Sequence, residues 1–207
     1  MRRATLDHLS EVRRLFEEAA DWLRRNKDTD QWETPWPDQE SWIQRTLQDL
    51  RERKTWLVWD DTMAIATITL DTKEPVDIRN RPVWPAHKRR ELALYVRRVI
   101  VSRSYAGLGL GAGLLDWASD VAMRDYGVSL IRIDVWTTNV ELHDYYTDQR
   151  FIRLEGRQPW ELPGYPSQAL FERSADRAGS GFAELFTEKE EPSGHGPLYQ
   201  SNIGCIR

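Results

Sequence analysis

"SRSYAGLGLGAGLLDWA", residues 102–118, sets glycine at 107, 109, 111 and 113 and then continues as an apolar helical pattern. Glycine loses more backbone freedom on ordering than any other residue, so four of them at a helix start require a reason. Upstream, "ELALYVRRVIVS" (91–102) is the strongest strand pattern in the chain. Downstream, Leu110, Leu114, Leu115, Ala118 and Ala122 share one face of a helix expected over 109–125. A strand that runs through a glycine-rich turn into a helix gathers unpaired N–H groups and the positive helix end at one point. Small residues there let a pyrophosphate approach the backbone. The alternative for the same residues is close packing of strand on helix without a ligand.

Two nucleotide motifs compete for this stretch and both fit badly. A Walker loop ends in G-K-[ST], and no lysine occurs between Arg89 and Met123. A dinucleotide fingerprint needs G-x-G-x-x-G directly after the strand. Counting from Gly109 and Gly111 the third glycine position holds Leu114, and from Gly107 and Gly109 it holds Ala112. Asp134, near the end of the next strand, mimics the ribose-binding acid, but the turn from Val101 to Gly107 is longer than that fingerprint tolerates.

Around this centre the organisation is mixed α/β. Leu9, Val12, Phe16, Ala19 and Leu23 recur at helical spacing and predict a first helix over about 8–25 with Asp7 as its cap. Residues 26–40 form a polar turn region carrying Trp32 and Trp36, and a second helix is expected over 39–53. "TWLVWD" and "TMAIATITL" are strands joined by a tight turn at Asp60-Asp61, and 71–90, with three prolines, is a loop. "SLIRIDVW" is the next strand, 139–149 a short helix, and 151–154 the start of a further strand. Beyond Gly156, "RQPWELPGYPSQ" is a loop, "FAELF" a strand candidate, and the remainder a solvent-exposed or partly docked tail.

Composition sets mild bounds. The length of 207 residues supports one real core, and one domain over 1–175 with a C-terminal extension over 176–207, partly docked or adding a strand, is expected. A net charge of −4 gives no global attraction to nucleic acid or an anionic membrane, so neither is expected as a partner. No stretch approaches eighteen apolar residues, and charges run through the first 23 positions where a signal peptide would be apolar. The one cysteine, Cys205, rules out an internal disulfide, so a cytoplasmic monomer or homodimer is expected. No cluster of His, Cys and carboxylates has metal-ligand spacing, so no metal is expected.

The strand end Val99-Ile100-Val101 followed by "AGLGLG" (106–111) resembles the GCN5-related N-acetyltransferase (GNAT) family, whose pattern is a strand followed by [RQ]-x-x-G-x-[GA] opening a long helix. Ala106 stands where that family usually has arginine or glutamine, and Arg103 is the nearby cation. A second match follows in the right order. "NVELHDYYTDQRF" puts Asn139, Leu142, Tyr145, Tyr146 and Phe151 in register with N-x-x-A-x-x-[LF]-Y-x-x-x-G-F, with Leu142 for the alanine and Arg150 for the glycine. The resemblance covers about residues 4–155 and is strongest over 91–154. It implies the GNAT fold, a central twisted, mostly antiparallel sheet flanked by helices. It also implies acetyl-CoA as cofactor, with CoA as product. The implied cofactor contacts are Val99, Ile100 and Val101 along the strand edge, Arg103, then Ala106, Gly107, Leu108, Gly109, Leu110 and Gly111 at the turn, and Asn139 and Tyr146 beside the thioester arm. In the family the tyrosine matching Tyr146 commonly protonates the departing thiolate.

Acetyl transfer to an amine needs a neutral amine, an oriented carbonyl, an N–H aimed at the developing oxyanion and an acid for the sulfur. Tyr146 is the expected acid, since a phenol holds a proton at neutral pH. Glu91, at the head of the central strand, and Glu141, in the short helix, are the candidates for the base. His87 is expected at the surface and His143 facing solvent. In the resembled family the region between the first two helices walls the acceptor site, which makes Trp32, Trp36 and Trp84 candidate substrate contacts, with Asp28, Asp30 and Glu33 available to a cationic amine. Packing of a long loop onto the body is the alternative for these tryptophans. The expected function is acetyl transfer from acetyl-CoA to a primary amine of a small molecule. The alternatives are acetylation of a protein N-terminus or lysine, a non-catalytic acyl-CoA-binding module and, more distantly, a nicotinamide oxidoreductase.

Overall fold

The computed structural model describes residues 1–155, 162–175, 186 and 188. Seven strands form one sheet: β1 (Arg2–Arg3), β2 (Thr55–Asp60), β3 (Met63–Asp71), β4 (Leu94–Val101), β5 (Leu130–Val135), β6 (Ile152–Arg153) and β7 (Ala169–Ser174). Their order is β1-β2-β3-β4-β5-β7-β6, and every neighbouring pair is antiparallel except β4 with β5. Four α-helices accompany it: α1 (Leu9–Asn26), α2 (Gln39–Arg51), α3 (Leu110–Tyr126) and α4 (Val140–Asp148).

Both faces of the sheet are covered, which is why β2 and β3 read as nearly continuous apolar runs rather than as alternating ones. Trp56 and Val58 of β2 pack with Leu114, Trp117, Ala118 and Val121 of α3. Leu57, on the opposite face, packs with Val12, Leu15 and Phe16 of α1 and Leu50 of α2. α1 buries Val12, Leu15, Phe16 and Leu23, close to the stripe expected from the sequence. Asp7 is not its cap: it lies in a 3-10 turn, Leu6–His8, where the Thr5 N–H donates to His8 Nδ1 at 3.0 Å. α2 is capped by Asp38, whose carboxylate accepts from the Ser41 N–H at 2.8 Å.

Two irregularities position the site. The β4–β5 pairing covers only Leu94 with Ile131 and Tyr95 with Arg132, so the strands part beyond Tyr95 and leave a wedge towards their carboxyl ends. On the other side of β4, Thr67 faces Ile100 while Thr69 faces Arg97, which puts one extra residue into β4. Arg98 sits in this bulge with φ of 49°, a left-handed conformation for a side chain that must be held from outside.

One strand, β7, "ALFERS", is not among those the sequence predicts, and charge interrupts its apolar residues. Its Arg173 is buried, paired with Asp116 at 3.1 Å and donating to the Ser119 hydroxyl at 2.7 Å, both on α3. Those partners lie more than fifty positions away and are invisible to local pattern. The "FAELF" strand candidate and most of the 176–207 extension lie outside the described residues. Of that extension, Phe186 is buried in the main core and Glu188 accepts from Trp117 Nε1 at 3.2 Å.

Candidate active site

The glycine turn has two different reasons for its composition. Gly107 and Gly109 have φ of 79° and 76°, and Gly109 is the residue from which α3 starts. Gly111 has ordinary φ, but a Cβ there would stand 2.7 Å from the Tyr145 hydroxyl, so its missing side chain is what lets α4 approach the first turn of α3. Ala106, Gly107 and Leu108 are exposed, and the backbone of the turn is open to an anion from solvent.

Two cavities occupy the wedge. The smaller, about 300 Å³, runs along Val99, Ile100 and Val101 of β4 and is closed by Asn139, Glu141, Leu142 and Tyr145 around α4. Arg103 also borders it, its guanidinium 3.7 Å from the centroid of the Trp22 ring. The larger, about 480 Å³, lies deeper between β4 and β5, against Tyr146, Asp134 and Tyr165. Gln31, Trp32, Val99 and Leu142 line both, so the two spaces meet across these residues.

The segment between α1 and α2 is tied over this junction. Asn139 caps α4 by accepting from the Leu142 N–H at 3.0 Å, and its amide donates to Gln31 Oε1 at 2.6 Å. Asp30 accepts from Trp136 Nε1 at 2.7 Å and from the Thr138 hydroxyl, and these bonds, Thr138 first, hold its pKa below the usual carboxylate value. Lys27 pairs with Glu141. Trp32 lies against Phe16 with ring centroids 4.9 Å apart.

Burial dominates the titrating groups at the wedge. It pushes the Tyr145 hydroxyl up to about 12, and it raises the Tyr146 hydroxyl further, with Tyr145 and the Asp134 charge adding to the effect. Asp134 is likewise raised by burial, while the hydrogen bond it accepts from the Tyr165 hydroxyl pulls the other way. Below these groups Asp49 of α2 accepts from Arg98 at 2.7 Å and from Arg97 at 3.0 Å, and Asp71 accepts from Arg97 at 3.0 Å and Lys54 at 2.8 Å. The Asp49–Arg98 pair ties the bulged residue to α2 and so fixes the backbone that leads into Val99.

The structure therefore brings Tyr146, Val99, Trp32 and Trp36 to the larger cavity, sets Asn139 on the smaller one, and sends others elsewhere. Glu91 lines neither cavity; it stands before the paired end of β4, joined to Arg132. Glu141 borders the smaller cavity rather than the one with Tyr146. Trp84 is fully buried, packed with Val83, Tyr95 and Leu162 and facing Arg132, so it offers no wall to a substrate. Asp28, Asp30 and Glu33 line neither cavity. His143 is buried, not solvent-facing; its Nε2 bonds to the Trp136 carbonyl oxygen at 2.9 Å, and burial lowers its pKa. Sequence reasoning named Asp134 only as a mimic of a ribose-binding acid and missed Tyr165, Arg97, Arg98 and Asp49. Asp134 shares its strand with one other charged residue, Arg132, and the pattern alone does not separate their roles.

Among the described residues no group of three His, Cys, Asp or Glu is placed to hold a metal ion, and no helix is long and apolar enough to cross a membrane. An acetyltransferase (GNAT) family sequence model matches residues 13–151, and no curated protein matches the sequence. An acetyltransferase of the GNAT family from Listeria monocytogenes superposes with a TM-score of 0.64 at 17% identity, over 83% of this chain and 92% of that one. The PaiA N-acetyltransferase of Thermoplasma acidophilum, solved in complex with coenzyme A, superposes with a TM-score of 0.56 at 15% identity, over 83% and 96%. A GNAT acetyltransferase from Streptococcus agalactiae gives 0.57 at 13% identity, over 81% and 90%. At such identities the likeness is one of fold, and the sequence match over residues 13–151 of 207 carries the assignment: the chain belongs to the GNAT acetyltransferase family.

Proposed function

We propose that this protein transfers an acetyl group from acetyl-CoA to a primary amine of a small molecule. The observation that carries this reading is the meeting of two cavities across Val99 and Leu142, one running along Val99–Val101 of β4 as far as Arg103 and the other holding Tyr146 and Asp134. The residues fit the cofactor. Pairing of β4 with β5 ends at Tyr95, which leaves the edge at Val99–Val101 for an extended pantetheine arm, and the left-handed Gly107 and Gly109 bring a bare turn to the start of α3 for the pyrophosphate. The coenzyme A in the Thermoplasma relative supports the same reading.

Acetyl-CoA supplies a thioester, whose carbon gains a bond to the amine nitrogen as its bond to sulfur breaks. Asp134 takes the proton that the amine must lose, in place of the expected Glu91 and Glu141. Its raised pKa makes it a stronger base than an exposed aspartate. Tyr146, held protonated by burial, gives its hydroxyl proton to the sulfur and recovers one from solvent. The Asp49–Arg98 pair keeps the β4 bulge in place, and Gln31 and Trp32 cover the junction against water.

The acceptor is a small molecule rather than a protein on this reading, because the segment over the wedge is fastened to α4 by the Gln31–Asn139 and Lys27–Glu141 contacts, leaving a cavity where a peptide needs an open groove. Isothermal calorimetry with CoA, NAD and ATP tests the cofactor, and a free-thiol assay across amines, amino sugars and short peptides tests the acceptor. Preference for CoA and turnover of small amines is the expected result. Preference for NAD overturns the first part, and selective turnover of peptides the second.

A further inference from the structure

The larger cavity carries a cation that its own side chains leave uncompensated. Arg98, Arg97 and Lys54 are each matched by Asp49 or Asp71 at 3.0 Å or less. Arg45 of α2 also lines the cavity, and no carboxylate lies within ion-pair distance of it among the described residues. Its guanidinium rests 5.0 Å from the centroid of the Trp36 ring and donates to the Trp36 carbonyl oxygen. The side chain is exposed, so a ligand can reach the guanidinium, and the nearest acids, Asp49 and Asp38, act on it only at longer range.

Arg45 is also connected to the acid end of the cavity by a continuous aromatic wall. Trp36 meets Tyr165 edge-on with centroids 5.0 Å apart, and the Tyr165 hydroxyl donates to Asp134. A ligand lying along this wall therefore meets a carboxylate at one end, two aromatic rings in the middle and an unmatched guanidinium at the other end. A guanidinium is planar and forked, which suits a carboxylate held by two hydrogen bonds.

We propose that the acceptor is a primary amine that itself carries a carboxylate, with an apolar or aromatic segment between the two groups, and that Arg45 binds that carboxylate. This rests on the acetyl-transfer reading of the same site, in which the amine lies at Asp134. It goes further by naming the substrate class and the residue that selects it.

The test uses matched pairs: phenethylamine with its ring-carboxylated analogue, and hexylamine with the corresponding ω-amino carboxylate. Each is followed by free-thiol release with acetyl-CoA, and by quenching of tryptophan fluorescence with CoA present, which reports binding without turnover. The wild-type protein is expected to favour the carboxylated member of each pair by about three- to tenfold, the effect of one charge-assisted contact made by an exposed side chain. In Arg45→Gln the ratio falls towards one, and Arg45→Lys restores part of it. A purely structural role for Arg45 lowers both members of a pair alike and leaves the ratio unchanged, which overturns the proposal, as does a wild-type ratio of one. The wild-type ratio and the lysine variant keep the test decisive if Arg45→Gln fails to fold. Carboxylate-selective binding with no turnover of any amine upholds this inference and overturns the acetyl-transfer reading; turnover without carboxylate preference does the reverse.

Discussion

The two ends of the β4–β5 pair hold buried charge in opposite ways. At the Leu94 end, where the strands are paired, Arg132 is completely buried over Trp84 and its guanidinium is consumed by the Lys88 carbonyl oxygen at 2.8 Å, by Glu172 at 3.2 Å and by Glu91. At the Val101 end, where the strands have parted, Asp134 and Tyr146 face a space of about 480 Å³, with Arg45 unmatched across it. Glu91, just before β4, and Asp134, on the neighbouring β5, are both acids, yet one is spent on structure and the other faces the cavity. Pairing closes the first end, and two hydrogen-bonded positions are all that pairing covers.

The contrast breaks most visibly in the chemical step. Asp134→Asn and Tyr146→Phe are expected to slow single-turnover acetyl transfer by about 10²- to 10⁴-fold, the usual cost of losing a general base or acid, with CoA affinity nearly unchanged. Tyr145→Phe and Glu91→Gln serve as matched controls and should stay within about threefold. A large loss in Glu91→Gln with little in Asp134→Asn would reverse the assignment.

A stability measurement sharpens the same comparison from the closed end. Arg132→Met removes the fully buried guanidinium and one of the two cations on Glu172, leaving Lys88 at 2.6 Å, and should cost about 1–3 kcal/mol in urea unfolding. The folded fraction should still bind CoA normally, since no described cavity residue is touched. A smaller effect is expected at the glycine turn. Gly109→Val forces a β-branched residue to φ of 76°, at about 1–2 kcal/mol, and fills the turn, so calorimetry should show CoA binding weakened by about tenfold or more.

The smallest expected effect is a shift in pH. On the proposed mechanism Asp134 acts as a carboxylate, so kcat/KM should rise with pH as it deprotonates, and burial places that rise above the ordinary aspartate range. The Tyr165 hydroxyl stabilises the carboxylate; removing it in Tyr165→Phe raises the pKa further and should move the acid limb to higher pH. An acid limb that does not move, or moves to lower pH, places the titrating base elsewhere.

Much of the fold was legible because it is written in local patterns. The helical stripe of α1, the apolar runs of β2, β3 and β4, and the glycines before α3 each carry their own period or composition. What escaped depends on distant partners. β7 hides behind Arg173, which is tolerable inside only because Asp116 and Ser119 wait on α3. Trp84 looked like a loop residue free to line a pocket, but a loop covering Tyr95 and Leu162 has its own core. The candidate site divides in the same way: glycine spacing and the tyrosine pair are visible by motif, whereas proposing Asp134 rather than Glu91 as the base depends on where β4 and β5 stop pairing.

Hydrogen–deuterium exchange with and without CoA tests the parting of β4 from β5 as a cofactor edge most directly. Binding should slow exchange in the segments carrying Val99–Val101 and Ala106–Gly111, and leave Leu94, Tyr95 and the segment around Arg132 unchanged. Protection concentrated at the paired end, with the glycine turn unaffected, would contradict the account.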